Sequence, residues 1–476
     1  MPINFRFAKK FAAEQILKRA MNYIEKDPEK NFLKVLDLAD KVAGTDKHHQ
    51  EIDSLRESFK TNPAIRQYVK KFTEIAPSYK EGLVMNFFIN SGLLGIPYQF
   101  EKAEELGVNV PWTILIDPTS GCNLNCTGCW AGKYSESDSL DFETIDRIIT
   151  EAKELGIYFI VLSGGEPTVY PRLFDIFEKH DDVGFMMYTN GTLIDDEMAD
   201  KMLEAGNVSP AISLEGGKEA TDKRRGKGVY DKVMAAMDRL RERGIVFGAS
   251  LTVTRNNVKE IFNEDFIDFL IEKGVTYAWS FHYVPIGREP NLDMMLTPEQ
   301  RAWLAEKVPE LRQSKPLFIA DFWNDGTFSG GCIAGGRRYF HINARGDVEP
   351  CAFVHFAVDN IKDKSLEEVL QNPLFKEYQS RQPFNDNSLL PCPIIDNPRQ
   401  LEEMVEKSGA SPTHEGADSL FDKEIAEGLD ELSSRWQEIS APIDKKRKEK
   451  MGDRLPPNYK NKEDKEERKD KKEKAQ

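Results

Sequence analysis

GCNLNCTGCW, residues 121–130, places Cys122, Cys126 and Cys129 at spacings of four and three, directly after the extended apolar run PWTILIDPTS. The 476-residue chain has six cysteines, all between positions 122 and 392. That is too sparse for a disulfide scaffold, so the thiols need another reason. A structural zinc site closes itself with four ligands. A cubane iron–sulfur cluster offers four irons, and three thiolates leave one of them open. Three unligated buried thiols fit a polar, glycine-containing loop poorly. Zinc stays open on spacing alone.

Outward from this loop, short apolar runs alternate with helical patterns. TILID precedes it; YFIVLS, VGFMMYTN, PAISLEG, VFGASLTV and TYAWSFHYVP follow, separated by segments such as DFETIDRIITEAKELG and YDKVMAAMDRLRERG. Six strand patterns with helices between them predict a parallel α/β unit with right-handed crossovers. Polar and glycine residues gather just after these runs, so the chemistry is expected on the carboxyl-end face of the sheet.

The loop resembles that of the radical S-adenosylmethionine (radical SAM) enzymes, whose CxxxCxxC follows the first strand of a partial barrel. Trp130 stands in place of the aromatic that often precedes the last cysteine. The resemblance implies a partial (β/α)6 barrel and a 4Fe–4S cluster on Cys122, Cys126 and Cys129. S-adenosylmethionine would bind the open iron, and its cleavage would give a 5'-deoxyadenosyl radical. Gly164, Gly165, Glu166 and Pro167, 35 residues and more beyond Cys129, resemble the family's GGEP segment at the cofactor's amino group. Glycine permits close backbone approach and a carboxylate suits an ammonium. Thr189-Asn190-Gly191 and Ser213-Leu214-Glu215-Gly216 sit where the family has TNG and SLDG. Asn190, Ser213, Arg224 and Arg225 are the further cofactor-binding candidates, with Thr252 and Asn256 behind them.

The other cysteines lie in GCIAGGRRYFHINARGDVEPC and LLPCPI. Thirteen residues separate Cys332 from Gly346, and four more lead to Cys351. This resembles the SPASM auxiliary-cluster domain or its shorter twitch form, with HINARGDVEPC as a small hairpin turning at Gly346. A full SPASM domain has seven cysteines and two clusters. Cys332, Cys351 and Cys392 imply at most one auxiliary 4Fe–4S cluster, with His341, His355 or Asp359 as candidate fourth ligands. The alternative is that these thiols bind zinc or simply pack.

These readings divide the chain into a helical region at 1–105, the barrel at 106–325, the auxiliary domain at 326–400, a helical extension at 401–443 and a charged tail at 444–476. The tail from 445 carries 14 Lys and Arg against 8 Asp and Glu and is expected to be disordered. The formal charge of −15 argues against nucleic acid, and no leader or spanning segment is evident, so a cytoplasmic protein is expected. A reducing partner such as flavodoxin or ferredoxin is implied. Substrate-facing candidates are Glu215, His282 and Tyr283 as catalytic groups, with Arg288, Asp321 and Arg338 nearby. The apolar stretch LVMNFFINSGLLGIPYQF (83–100) and an amphipathic basic start, with Phe7, Phe11 and Ile16 set apart from Lys9, Lys10, Lys18 and Arg19, favour a lipid or fatty acyl substrate at the inner membrane face. Packing on the barrel is the plainer account of 83–100. The alternatives are a peptide-modifying maturase and a non-enzymatic iron–sulfur carrier or scaffold.

Overall fold

The computed structural model describes residues 15–16, 18–42, 46–456 and 459. The basic start of the chain and most of its charged tail lie outside them, so the expectations for Phe7, Phe11, Lys9 and Lys10 fall outside the described residues.

Six parallel strands form the barrel wall: β1 (Ile114–Ile116), β2 (Phe159–Leu162), β3 (Gly184–Thr189), β4 (Val208–Leu214), β5 (Gly248–Val253) and β6 (Tyr277–His282). Each pairs with the next in parallel, and at least one helix lies between each successive pair. The chain belongs to the mixed α/β class, with a partial parallel barrel and flanking helices. The wall extends further than the six sequence runs. A seventh parallel strand, β7 (Phe318–Asp321), adds to β6. On the other edge a hairpin of β8 (His341–Ile342) and β9 (Val348–Glu349) pairs with β1 through β8. Gly346, at φ +93°, makes the expected turn.

Strand periodicity sorts the side chains. Ile114, Ile116, Ile160, Leu162, Phe185, Met187, Ile212, Leu214, Ala249 and Leu251 belong to the large core under the helices. The alternate positions Leu115, Phe159, Val161, Met186, Tyr188, Ala211 and Trp279 face the lumen. The lumen side of the sheet is thus unusually aromatic.

The apolar stretch 83–100 lies at the amino-terminal ends of the strands. Residues Val84–Gly95 form a wide helical turn between the helices Pro77–Leu83 and Ile96–Leu106. Asn86 and Asn90 amides donate to the Asp181 and Asp182 carbonyls at 2.7 and 2.8 Å, and Gln99 donates to Gly156 at 2.8 Å. Tyr79 Oη donates to Val208 O at 2.5 Å. These carbonyls lead into β2, β3 and β4, so this segment covers the base of the barrel. Phe88, Leu93, Ile96 and Phe100 remain exposed on its outer side.

A final helix, Lys423–Met451, runs past the sequence-based tail boundary at 444. Asp444 is buried and accepts from Ser388, and Arg447 donates to Asn324 O at 2.7 Å. Those contacts keep charged residues ordered where composition predicts a solvated tail. Among the described residues no helix is long and apolar enough to cross a membrane.

Candidate active site

The cysteine loop leaves β1 at the carboxyl end of the sheet and stays close to the exit of β2. Ser163 N donates to Ile116 O at 2.9 Å, Gly165 N to Thr119 O at 3.0 Å, and Glu166 N to Gly121 O at 2.9 Å. A Cβ at Gly164, which has φ +107°, or at Gly165 would overlap the Thr119 and Gly121 carbonyls. Glycine is needed here to bring two loops together, not to make a turn alone.

Glu166 is fully buried and serves the same scaffold. Its Oε1 accepts from Thr168 Oγ1 and Thr189 Oγ1 at 2.6 Å, and its Oε2 from Asn190 N at 2.6 Å. Burial raises its pKa, opposed by those hydrogen bonds. Asn190 in turn donates to Asn123 Oδ1 at 2.8 Å, and Asn123 to Thr192 Oγ1 at 2.9 Å. The TNG segment therefore grips the cysteine loop itself. From the opposite side, Arg288 donates through its backbone N to Cys129 O at 2.9 Å and through Nη1 to Cys126 O at 3.1 Å.

Arg224 and Arg225 stand beside the thiols. Both ion-pair with Glu215 Oε1, at 2.7 and 2.6 Å, leaving one net positive charge. Burial raises the Cys126 pKa, and Arg225 is the first group to oppose it. The Cys122 thiol is pushed up to about 11 by burial, against a hydrogen bond from Leu124 N at 3.4 Å.

The second thiol set has the same construction. Cys392 Sγ accepts from Ile394 N at 3.4 Å, and the backbone N–H groups of Ala334 and Phe353 favour the thiolates of Cys332 and Cys351. Burial raises all three, Cys351 to about 12. Such protonated thiols lose their protons on binding metal. Backbone N–H groups aimed at sulfur stabilise a thiolate set, and three sulfurs in each place fit an iron–sulfur cluster with one iron left over. Among the described residues no three His, Cys, Asp or Glu side chains converge on a single metal ion.

Both thiol sets, along with Trp130, line one cavity of about 470 Å³. Aromatic rings fill its walls. Phe353 sits within 6.0–6.3 Å of Trp130, Phe281 and Trp323, and Phe322 stacks on both Trp279 and Phe281. Gly164, Gly165, Glu166, Asn190, Ser213, Arg224, Arg225 and Thr252 also line it. Pro167 instead begins a short helical turn beside it, and Asn256 is exposed. Its neighbour Asn257 makes the contacts, donating to Glu215 O and Thr252 O.

The catalytic candidates fare differently. Glu215 follows the outward-facing Leu214 and is walled off behind Arg224 and Arg225, with 1% of its side chain exposed. It is a counter-ion, not a cavity group. His282 reaches the cavity wall, but its ring stacks on Trp323 at 5.0 Å and its Nε2 lies 3.5 Å from Asp321. It shares the strand face of Ala278 and Ser280, opposite Trp279 and Phe281. Tyr283 braces the cysteine loop: a Cβ on Gly128 would sit 2.8 Å from its ring. Arg338 lines the cavity with an exposed side chain.

None of the three candidate fourth ligands faces the second thiols. His341 bridges Asp117 and Glu349 at 2.9 and 2.6 Å. His355 is paired with His414 at 2.6 Å and with Ala352 O at 2.9 Å. Asp359 is held by Lys364 at 2.6 Å. Sequence reading missed the Asp117–His341–Glu349 bridge, in which Asp117 lies far along the chain from the other two. It also missed the lumen aromatics, although the alternation in YAWSFH signals Trp279 and Phe281.

The sequence matches the Radical SAM superfamily over residues 116–270 and an iron-sulfur cluster-binding domain, SPASM, over 332–393. It is 30% identical over 318 residues to the mycofactocin maturase MftC of Mycolicibacterium smegmatis, covering 63% of this chain and 78% of that one. It is 27% identical over 293 residues to an AdoMet-dependent heme synthase of Methanosarcina barkeri, covering 56% and 83%. The crystal structure of Streptococcus suis SuiB bound to S-adenosylmethionine superposes with a TM-score of 0.51 at 17% identity, over 76% of this chain and 80% of that one.

Proposed function

The chain belongs to the radical SAM superfamily and carries a SPASM-type auxiliary domain, and from this we propose that it is a maturase that modifies a peptide by carbon-radical chemistry. It is an enzyme, and its cofactor is S-adenosylmethionine. Cys122, Cys126 and Cys129 would hold the iron–sulfur cluster, which with a reductant would supply the one-electron chemistry that makes a 5'-deoxyadenosyl radical from the cofactor. Everything else is the work of this chain's residues.

Arg224 and Arg225 carry the net positive charge that suits the cofactor's carboxylate, with Glu215 fixing both guanidiniums. Asn190 and Glu166 hold the loop geometry. The aromatic walls exclude water and orient the substrate, which matters because a primary alkyl radical reacts with whatever lies nearest.

One observation carries the reading: a single aromatic-walled cavity reaches both thiol sets. A substrate held there lies within reach of radical formation at one end and of the auxiliary site at the other. The relative named as a maturase supports this class. The 83–100 stretch lends a lipid substrate little support: it covers the base of the barrel, so its exposed Phe88, Leu93, Ile96 and Phe100 lie at the opposite end of the strands from the cysteine loop.

The test uses hydrogen transfer itself. Reduced, cluster-loaded protein is incubated with S-adenosylmethionine and fractions of fully deuterated extract from the host organism. Deuterium should appear in 5'-deoxyadenosine with the peptide fraction and not with the lipid fraction. The reverse pattern overturns the proposal.

A further inference from the structure

Three phenols stand near the second thiol set, and among the described residues only that of Tyr339 has a hydrogen-bond partner; of the other two, Tyr378 lines the cavity and Tyr459, beside Gly331, does not. Tyr339 Oη donates to Cys351 Sγ at 2.7 Å. Tyr378, on the helix Pro373–Arg381, is fully buried and lines the cavity, yet among the described residues its hydroxyl has no hydrogen-bond partner. Cys332, Cys351 and Cys392 all act on this hydroxyl electrostatically, after burial itself. Geometry agrees: Tyr378 and the three thiols line the same cavity, and all three pack against the apolar cluster to which Tyr378 belongs.

The ring is held there firmly. The chain turns through Gly335 at φ +66°, where a Cβ would come 2.6 Å from that of Tyr378. Next to it, a Cβ on Gly336 would come 2.8 Å from the Phe375 ring. On its other side Tyr378 meets Phe384 edge-to-face at 5.4 Å. Buried hydroxyls are nearly always paired, and a tyrosine pressed into an apolar setting without a partner would serve better as phenylalanine. The three thiols share its cavity. His341, His355 and Asp359 are committed elsewhere.

We propose that Tyr378 Oη donates a hydrogen bond to the iron–sulfur cluster held by Cys332, Cys351 and Cys392, so that it positions that cluster and sets its reduction potential without ligating it. The proposal rests on reading this triad as a cluster site. A hydrogen bond to cluster or thiolate sulfur favours the more negative, reduced state and raises the potential.

The experiment compares anaerobically reconstituted full-length protein, Tyr378→Phe and, as comparator, Tyr339→Phe, by iron analysis and by redox titration followed by electron paramagnetic resonance. Tyr378→Phe should keep the wild-type iron content and leave the first cluster's potential unchanged. It should move the second cluster's midpoint to a more negative value, in the same direction as Tyr339→Phe. An unmoved second midpoint at full iron content overturns the proposal, since the hydroxyl would then be only packing. Loss of about four irons from Tyr378→Phe also overturns it, since the hydroxyl would then be a ligand or scaffold. The first cluster's signal in the same sample reports that the variant has folded. Wild-type protein with iron for one cluster only would defeat the underlying reading of the triad, and with it the proposal. The wild-type count thus separates that failure from a failure of Tyr378 alone.

Discussion

At His341 two carboxylates converge on one imidazole. Burial works against the charged ring, yet Asp117 and Glu349 hold its pKa up to about 10. The bridge joins β1 of the barrel to the β8–β9 hairpin, and Tyr134 and Thr413 add hydrogen bonds to Glu349 at 2.8 and 2.6 Å. An imidazole whose folded pKa exceeds its ordinary value of about 6.5 stabilises the fold fully below that pH and loses the contribution as pH rises through the folded value. Between pH 7 and 10 the metal-free protein should therefore lose stability by up to about 1.4 kcal/mol per pH unit from this group. His341→Gln should be less stable at pH 7 and should lack that component. Denaturation measured across this range for both proteins checks it, and parallel profiles would contradict it. Sequence reading offered His341 as a metal ligand because a histidine near cysteines suits one. What it could not show is that Asp117, 224 positions away, folds against it.

At the scale of elements, the decisive contact is between the loops leaving β1 and β2. Gly165 lies so close to Gly121 that alanine there must push the loops apart. Gly165→Ala should lower iron at the first site and weaken S-adenosylmethionine binding by at least about tenfold, the effect of losing one charge-assisted hydrogen bond. The second site, built from other segments, should keep its iron. Wild-type iron and cofactor binding in this variant would contradict the role given to the loop pair. The six parallel strands and the glycines after them were legible, because alternating apolar runs and turn residues are local signals. β7 and the pairing of the hairpin with β1 were not, since a short strand gains its partner from distant sequence: Leu115 pairs with His341. Strand parity would have placed Trp279 and Phe281 in the lumen and His282 on the other face. The aromatic character of the site was therefore present in the sequence but passed over in favour of its titratable groups.

Taken as a whole, the molecule is a barrel with covered base and chemically equipped mouth. Helical residues 77–106 cover the base, and two thiol sets meet one cavity at the other end. Composition made 83–100 stand out as apolar, but only the fold shows that its asparagines and glycines dock on strand-leading loops. The proposed function accounts for six cysteines: each set of three would supply one cluster's thiolates and leave a single iron to be completed by something else. The direct test is anaerobic reconstitution of the wild type and of Cys126→Ala and Cys351→Ala, with iron counted and 5'-deoxyadenosine measured after reduction with S-adenosylmethionine present. Wild-type protein should hold about eight irons and cleave the cofactor. Cys126→Ala should hold about four irons and show no cleavage, and Cys351→Ala about four irons with cleavage retained. Cleavage that persists in Cys126→Ala would contradict this.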